Sequence, residues 1–207
     1  MTQNDSDITG IILAGGQSHR MGFNKALAML DGKPLIEFVV DNLRKITQSL
    51  ILSTGSEFFE YKNLQVVPDL HPGFGPLGGI CSALKSSKTN LNLVLSCDMP
   101  LVSSSFLSFL AEEARRHPAP ITLPVDKYGY WQPLCAVYRK DVLPALYEAL
   151  SRNELKIITA IRETHPRVIQ FMEWHPSFQN MSFLSINTPE ALKQAESVLD
   201  IFREKRL

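Results

Sequence analysis

The chain has 207 residues, 44% of them hydrophobic and 20% charged, a balance that suits a folded protein and excludes a disordered one. Lys and Arg together number 21, as do Asp and Glu, so no bulk field draws the chain to nucleic acid or to an anionic membrane, and affinity for phosphate must come from local arrangement. The longest apolar stretch is interrupted by Asp98 and serines, short of the ~20 residues of a membrane-spanning helix, residues 1–7 are polar and acidic, unlike a signal peptide, and the expected location is the cytoplasm.

Residues 8–13, Ile-Thr-Gly-Ile-Ile-Leu, have the length and β-branched content of a buried parallel strand. Gly15 and Gly16 follow, then Arg20, Gly22 and Lys25. A glycine-rich turn lets backbone N–H groups approach an anion closely because no Cβ intervenes, and Arg20 and Lys25 add two cations. On those residues alone an ordinary glycine turn with solvated bases is the favoured reading; the full ordered string is more specific and points to a polyphosphate site. Neither common phosphate loop fits: no Lys-Ser/Thr follows Gly22, and the adjacent pair Gly15-Gly16 breaks the G-x-G-x-x-G spacing.

Beyond this loop, Asp31-Gly32 marks a turn and Pro34 suits the first position of a helix that turns Leu35, Phe38, Val39, Leu43 and Ile46 inward. Residues 49–53 and 65–67 read as strands, 76–87 as a helix and 91–96 as a strongly apolar strand. A helix then starts near Ser103, with Phe106, Leu107, Leu110, Ala111 and Ala114 on its inner face. Strands at 121–125 and 132–138 are joined through Tyr128-Gly129-Tyr130, short helices follow at 140–150 and 155–162, and strands at 168–172 and 183–186. Thr188 is an N-cap, with Pro189 and Glu190 behind it, for a last helix that buries Ala191, Leu192, Ala195, Leu199 and Phe202. The alternation predicts an α/β fold: a Rossmann-like, mainly parallel sheet with helices on both faces, in a single domain over residues 1–207 whose first seven residues are flexible. Cys81, Cys97 and Cys135 are odd in number, lack metal spacing and lie in apolar segments, so they are read as core residues.

In open parallel sheets ligands gather beyond the carboxyl ends of the strands. Asp98 closes the 91–96 strand, where a buried carboxylate needs a hydrogen bond or a cation. It could instead cap the next helix, although Ser103 and Ser104 are available for that. Magnesium suits such a position, because it prefers carboxylate oxygens, keeps waters and completes its shell with substrate phosphates. Two readings stand for Asn187: an oxygen ligand beside Asp98, or simply the start of the last helix. For Asp69, a turn-forming aspartate is the reading its residues give by themselves. Trp131 reads first as core, and second as a platform for a flat heterocycle whose edge Gln132 would bond. The five histidines have no metal spacing.

The string Leu13-Ala14-Gly15-Gly16-Gln17-Ser18-His19-Arg20-Met21-Gly22-Phe23-Asn24-Lys25 resembles the L-A-G-G-x-S-x-R-M-G-x-x-K signature of molybdenum cofactor guanylyltransferases. The resemblance continues through Val67-Pro68-Asp69, Gly75-Pro76-Leu77-Gly78-Gly79-Ile80, Ser96-Cys97-Asp98-Met99-Pro100, Gln132-Pro133-Leu134 and Asn187-Thr188-Pro189-Glu190, from near the start of the chain to its last helix. Two positions depart from the pattern: Ser53-Thr54-Gly55 stands where the family has an asparagine, and Asn24 stands where an aspartate is common before the lysine.

The resemblance implies transfer of GMP from GTP to molybdopterin or molybdenum cofactor, releasing pyrophosphate, with Mg²⁺ as cofactor. Arg20, Lys25 and Asp98 would be catalytic; Leu13, Ala14, Gly15, Gly16, Lys25, Asp69 and Asp98 would bind nucleotide; Asp98 and Asn187 would hold the metal. Gln132, Trp131 and Lys156 face the acceptor pterin in this reading, and Lys127, Arg139, Lys156 and Arg162 are candidates for its phosphate. Cofactor-pathway proteins or apo-molybdoenzymes are the expected transient partners. The rivals are the cytidylyltransferase of the same pathway, which carries Leu-Ala-Ala-Gly in the first loop, sugar-phosphate nucleotidyl transfer, disfavoured by the short chain, and a non-catalytic GTP-binding adaptor.

Overall fold

In the computed structural model, which describes residues 7–15, 24–55, 59–170 and 183–204, the first strand is β1, Ile8–Leu13, buried along its whole length. Side chains alternate across a strand, so a strand apolar on both faces demands cover on both. The Asp31-Gly32 turn joins β2 (Met29–Leu30) to β3 (Lys33–Pro34) in a two-stranded ladder that the sequence does not predict. Pro34 stands just outside the helix rather than at its first position. That helix, α1 (Leu35–Arg44), buries Ile36 and Val40 as well as the predicted Leu35, Val39 and Leu43.

The chain continues through β4 (Leu50–Ser53), β5 (Gln65–Val67), α2 (Gly75–Ser86), β6 (Leu91–Ser96) and α3 (Ser104–Arg116). Then come β7 (Ile121–Pro124), β8 (Cys135–Arg139), α4 (Leu143–Ser151), α5 (Ile157–Arg162), β9 (Arg167–Ile169) and α6 (Pro189–Glu204). The seven-stranded sheet has the order β5-β4-β1-β6-β8-β7-β9. β8 alone runs against its neighbours; the other six strands share one direction.

Neighbouring residues of one strand serve opposite layers. Ile12 and Leu95 pack with α1 and α3 through Ile36, Val39, Phe106 and Leu110. Ile11 and Val94 pack on the other face with α2 and α4 through Ile80, Leu84 and Leu146. The last helix, α6, adds Ala195 to Leu30, Leu35 and Ile186. Phe106, Leu107, Leu110, Ala111 and Ala114 of α3 are all buried as predicted, and Ser103 caps the helix by accepting from the Phe106 N–H at 3.2 Å. The three cysteines are buried, and burial pushes the Cys97 thiol up to about 12, with the Asp98 charge adding to it. No helix among the described residues is long and apolar enough to cross a membrane.

Residues 183–186 are not a strand, which corrects the sequence reading. β6 already has β1 on one side and β8 on the other, so no edge is left for another strand beside it. The segment is instead a strap across the end of β6. The Ile186 N–H donates to the Asp98 carbonyl at 2.8 Å, and the Phe183 ring meets Phe106 edge-on with centroids 5.5 Å apart. The predicted strand at 168–172 is β9 as far as Ile169; Met172, residues 1–6 and the Phe202 side chain lie outside the described residues. Asp7, within the predicted flexible start, pairs with Arg115 through two hydrogen bonds of 2.9 and 3.0 Å.

Phe106 is fully buried and joins the strap to α3. Phe106→Ala is expected to lower stability by about 3–5 kcal/mol, measured by urea unfolding.

Candidate active site

The strand order sets the carboxyl ends of β1, β4 and β6 side by side, where the chain connections diverge to either side of β1. Backbone bonds tie these ends together: the Ala14 N–H donates to the Ser53 carbonyl at 2.8 Å, and the Cys97 N–H to the Leu13 carbonyl at 2.9 Å. A cleft of about 540 Å³ opens there, within the range of small-ligand sites. Leu13, Gly15, Lys25, Asp69 and Asp98 all line it. The Ala14 methyl group is in the core and its N–H is engaged by the Ser53 carbonyl, so that N–H is not a free donor to an anion. Gly16 and Arg20 lie outside the described residues.

Gly15 has a structural reason beyond anion approach. A Cβ on it would stand 2.6 Å from both the Cα and the N of Gly55 and 3.0 Å from the Thr54 carbonyl carbon. The backbone after β4 passes where a side chain would be, so the departure at Ser53-Thr54-Gly55 and the glycine of the first loop fit each other.

Asp98 gathers three distant parts of the chain. Lys25, in a short helical turn at residues 25–27, donates from Nζ to Asp98 Oδ2 at 2.7 Å and to Asn187 Oδ1 at 2.6 Å. The Ser185 hydroxyl donates to the same Oδ2 at 2.7 Å and accepts from Asn187 Nδ2 at 2.7 Å. Burial alone would push the Asp98 carboxyl up; the adjacent Lys25 ammonium and the bonds from Lys25, Ser96 and Ser185 outweigh it and hold the carboxyl below its ordinary value. Ser103 caps α3, and Thr188 caps α6 through the Ala191 N–H at 3.2 Å, so neither cap uses the Asp98 or the Asn187 side chain, and Asn187 stands at the helix start while meeting Lys25. Asn24, which stands in place of an aspartate, caps the Lys25 turn by accepting from the Ala26 N–H at 3.0 Å.

The donor set suits a hard divalent cation. Asp98 Oδ1 is buried without a hydrogen-bond partner, while Oδ2 and Asn187 Oδ1 already flank a cation, the Lys25 ammonium. Among the described residues no cluster of three or more His, Cys, Asp or Glu could hold a metal without substrate, and Mg²⁺ in phosphate-transfer sites characteristically relies on one or two carboxylates, waters and substrate phosphates.

On the opposite wall, Asp69 follows β5. Its Oδ1 accepts from the His71 N–H at 2.8 Å and from the Ser82 hydroxyl at 3.3 Å. Gly78 makes room for it: a Cβ there would lie 2.5 Å from the His71 carbonyl oxygen and 2.9 Å from Asp69 Oδ1. The first turn of α2 also borders the cleft, and Phe74 gives it no side-chain cap, so amide donors stay available at the positive end of the helix.

The reversed strand β8 brings the acceptor candidates to the same edge. β7 ends there, and the connection returns to β8 at Cys135, opposite Leu95, with the Ser96 N–H donating to the Leu134 carbonyl at 2.9 Å. Asp126, which sequence reasoning missed, organises this loop by accepting from the N–H groups of Tyr128 and Tyr130, each at 2.9 Å, and from Gln132 Nε2 at 3.3 Å. Trp131 is half-buried against the α2–α4 layer, with the Arg162 guanidinium 5.4 Å from its ring centre. Lys127 and Lys156 are exposed, the first lying over the Tyr128 ring. Arg139 is a correction. It pairs with Leu91 at the start of β6, at the opposite end of the strands from Asp98, and donates to the Ala114 carbonyl at 2.8 Å, so it braces α3 and does not reach the acceptor side.

The sequence model of the MobA-like NTP transferase domain matches residues 10–168. A probable molybdenum cofactor guanylyltransferase of Carboxydothermus hydrogenoformans is 36% identical over 200 residues, 96% of this chain and 98% of its own. The molybdenum cofactor guanylyltransferase of Vibrio cholerae is 33% identical over 196 residues, 93% of each chain. Among solved structures, molybdopterin-guanine dinucleotide biosynthesis protein A of Archaeoglobus fulgidus superposes with a TM-score of 0.79 at 25% identity, covering 93% of this chain and 98% of that one.

The depressed Asp98 carboxyl has a pH signature. The pair stabilises the fold above the ordinary carboxylate range near pH 4, and this contribution is lost as pH falls through the folded-state value. Lys25→Met is therefore expected to fold but to lose about 1–3 kcal/mol at pH 7 by leaving a buried carboxylate without its cation. The deficit should shrink as pH falls through the carboxylate range, because the variant's buried carboxyl, no longer held down by Lys25, takes up its proton first; urea unfolding at neutral and at acidic pH measures it.

Proposed function

The chain belongs to the MobA-like NTP transferase family, and from that premise we propose that it transfers GMP from GTP to the terminal phosphate of molybdopterin or molybdenum cofactor in the cytoplasm. The observation that carries the reading is the meeting of Gly15, Lys25, Asp69 and Asp98 around one cleft at the ends of β1, β4, β5 and β6. The acceptor phosphate oxygen forms a bond to the α-phosphorus in line, and the bond to pyrophosphate breaks. That phosphate is already an anion at neutral pH, so the protein supplies positioning and charge neutralisation rather than a general base.

Lys25 neutralises the charge that moves onto pyrophosphate, and Arg20, by its place in the signature, joins it. Asp98 and Asn187 would hold Mg²⁺, which when bound neutralises phosphate charge. Asp69 accepts from the N–H edge of guanine or from ribose hydroxyls. The loop of Trp131 and Gln132 lies along the edge that the acceptor must approach. GTP is favoured over CTP by the resemblance of Leu13-Ala14-Gly15-Gly16 to the guanylyltransferase signature; the Gly15–Gly55 contact leaves no room for the alanine that the cytidylyltransferase loop carries there.

Dinucleotide formation from molybdopterin, Mg²⁺ and either GTP or CTP tests the reading, followed by chromatography of the oxidised pterin. Product is expected with GTP alone. Product with CTP alone would reassign the chain to the sister activity, and GTP binding without pyrophosphate release would make it an adaptor. Lys25→Ala and Asp98→Asn are each expected to reduce turnover by about 10²–10³ in folded protein; near-wild-type turnover would remove that residue from the mechanism. Gly78→Ala, which crowds Asp69 at the far wall, is expected to weaken GTP binding by about tenfold, or ~1.4 kcal/mol, measured by titration calorimetry.

A further inference from the structure

Ser185 belongs to no motif, yet it joins the two side chains that face the cation position. Its single hydroxyl proton goes to Asp98 Oδ2 at 2.7 Å, which leaves its lone pairs to accept from Asn187 Nδ2 at 2.7 Å. The direction of both bonds is fixed by chemistry. The Asp98 carboxylate can only accept, and the amide nitrogen can only donate. An asparagine presents an oxygen from one end and two N–H groups from the other, so its use as a cation ligand depends on which end faces the cation. With Nδ2 held by Ser185, Oδ1 is turned to the cation position, where the Lys25 ammonium lies 2.6 Å away. The same hydroxyl, together with Lys25, engages Oδ2 of Asp98 and leaves the buried Oδ1 without a partner.

We propose that Ser185 is a positioning residue for the divalent cation that accompanies the nucleotide, orienting the Asn187 amide oxygen and the Asp98 carboxylate as a pair of hard oxygen ligands. The proposal rests on reading this cleft as a metal–nucleotide site and adds a determinant to it. It is separable from simple tethering of the strap. The strap is held independently by the Ile186 N–H on the Asp98 carbonyl and by Phe183 on Phe106, neither of which involves the Ser185 side chain. Groups that orient ligands to a metal typically change its affinity by about 10–100-fold when removed.

The test is Mn²⁺ binding by the full chain with saturating GTP and no acceptor, read by electron paramagnetic resonance of the free ion, so that no turnover enters the measurement. Ser185→Ala is expected to fold, with some loss of stability from the bond it gives up to Asp98, and to weaken Mn²⁺ binding by about tenfold or more. Ser185→Thr, which keeps the hydroxyl, is expected to bind as the wild type does. Ser185→Cys keeps the size with a weaker donor and acceptor and is expected to lose affinity in the same direction, which provides a second test should the alanine variant fold poorly. Wild-type Mn²⁺ affinity in Ser185→Ala or Ser185→Cys, with Asp98→Asn deficient, would overturn the role of Ser185 alone. A wild type that takes up GTP but no Mn²⁺ would overturn the metal–nucleotide reading and this inference with it.

Discussion

A carboxylate buried at the end of a central strand cannot be left alone, and the fold around Asp98 is arranged to meet that constraint. Burial works against its charge, while the Lys25 ammonium and the Ser185 hydroxyl more than offset the penalty. The partners come from residues 25, 98 and 185–187, so the contact closes the chain on itself at one edge of the sheet. A helix cap for α3 could not substitute, because Ser103 already occupies that role. The charge of Asp98 is thus kept for the cleft.

A single reversal in the sheet brings the cleft and the 125–134 loop to one end. The sheet's parallel half, β5-β4-β1-β6, puts Asp69, Gly15 and Asp98 beyond the same ends of β5, β1 and β6, around one cleft. Had the strand after β7 also run parallel, its connection would have crossed to the other end of the sheet. The antiparallel β8 instead returns the 125–134 loop to the edge where Asp98 lies, tied there by the Ser96–Leu134 backbone bond. Asp126 stiffens that loop from within by gathering two N–H groups and the Gln132 amide. The cleft and the 125–134 loop lie at the same end of the sheet because one strand runs backward.

Features set by local pattern were legible in the sequence. β1, β6 and the inner face of α3 follow from apolar runs and spacing, and the cleft-lining residues follow from the places where those runs end. What depends on partners far along the chain was not legible. The Lys25–Asp98 contact spans 73 residues, and Ser185 has no pattern around it to mark it. The apolar run at 183–186 looks like a strand because its composition does not reveal that both edges of β6 are already taken. Arg139 reads as a candidate for the acceptor's phosphate, and only the register with Leu91 shows it at the opposite end of the strands from Asp98. Gly15 was legible as a glycine with a purpose, but the purpose that the fold adds is the passage of Gly55.

The two departures from the resembled pattern turn out to be matched to their surroundings. Small residues at Ser53-Thr54-Gly55 let the β4 end lie against Gly15, and the pair narrows the floor of the cleft at the junction of β1 and β4. At position 24 a carboxylate would stand one residue from Lys25 and compete with Asp98 for its ammonium. The amide there is neutral, and its oxygen is engaged by the Ala26 N–H, which shapes the turn without drawing on the charge of Lys25. Lys25 is therefore presented to Asp98 and Asn187 across the fold, beside the buried Oδ1 of Asp98. An asparagine at 24 and an aspartate at 98 divide the work: the first sets the backbone, the second takes the cation.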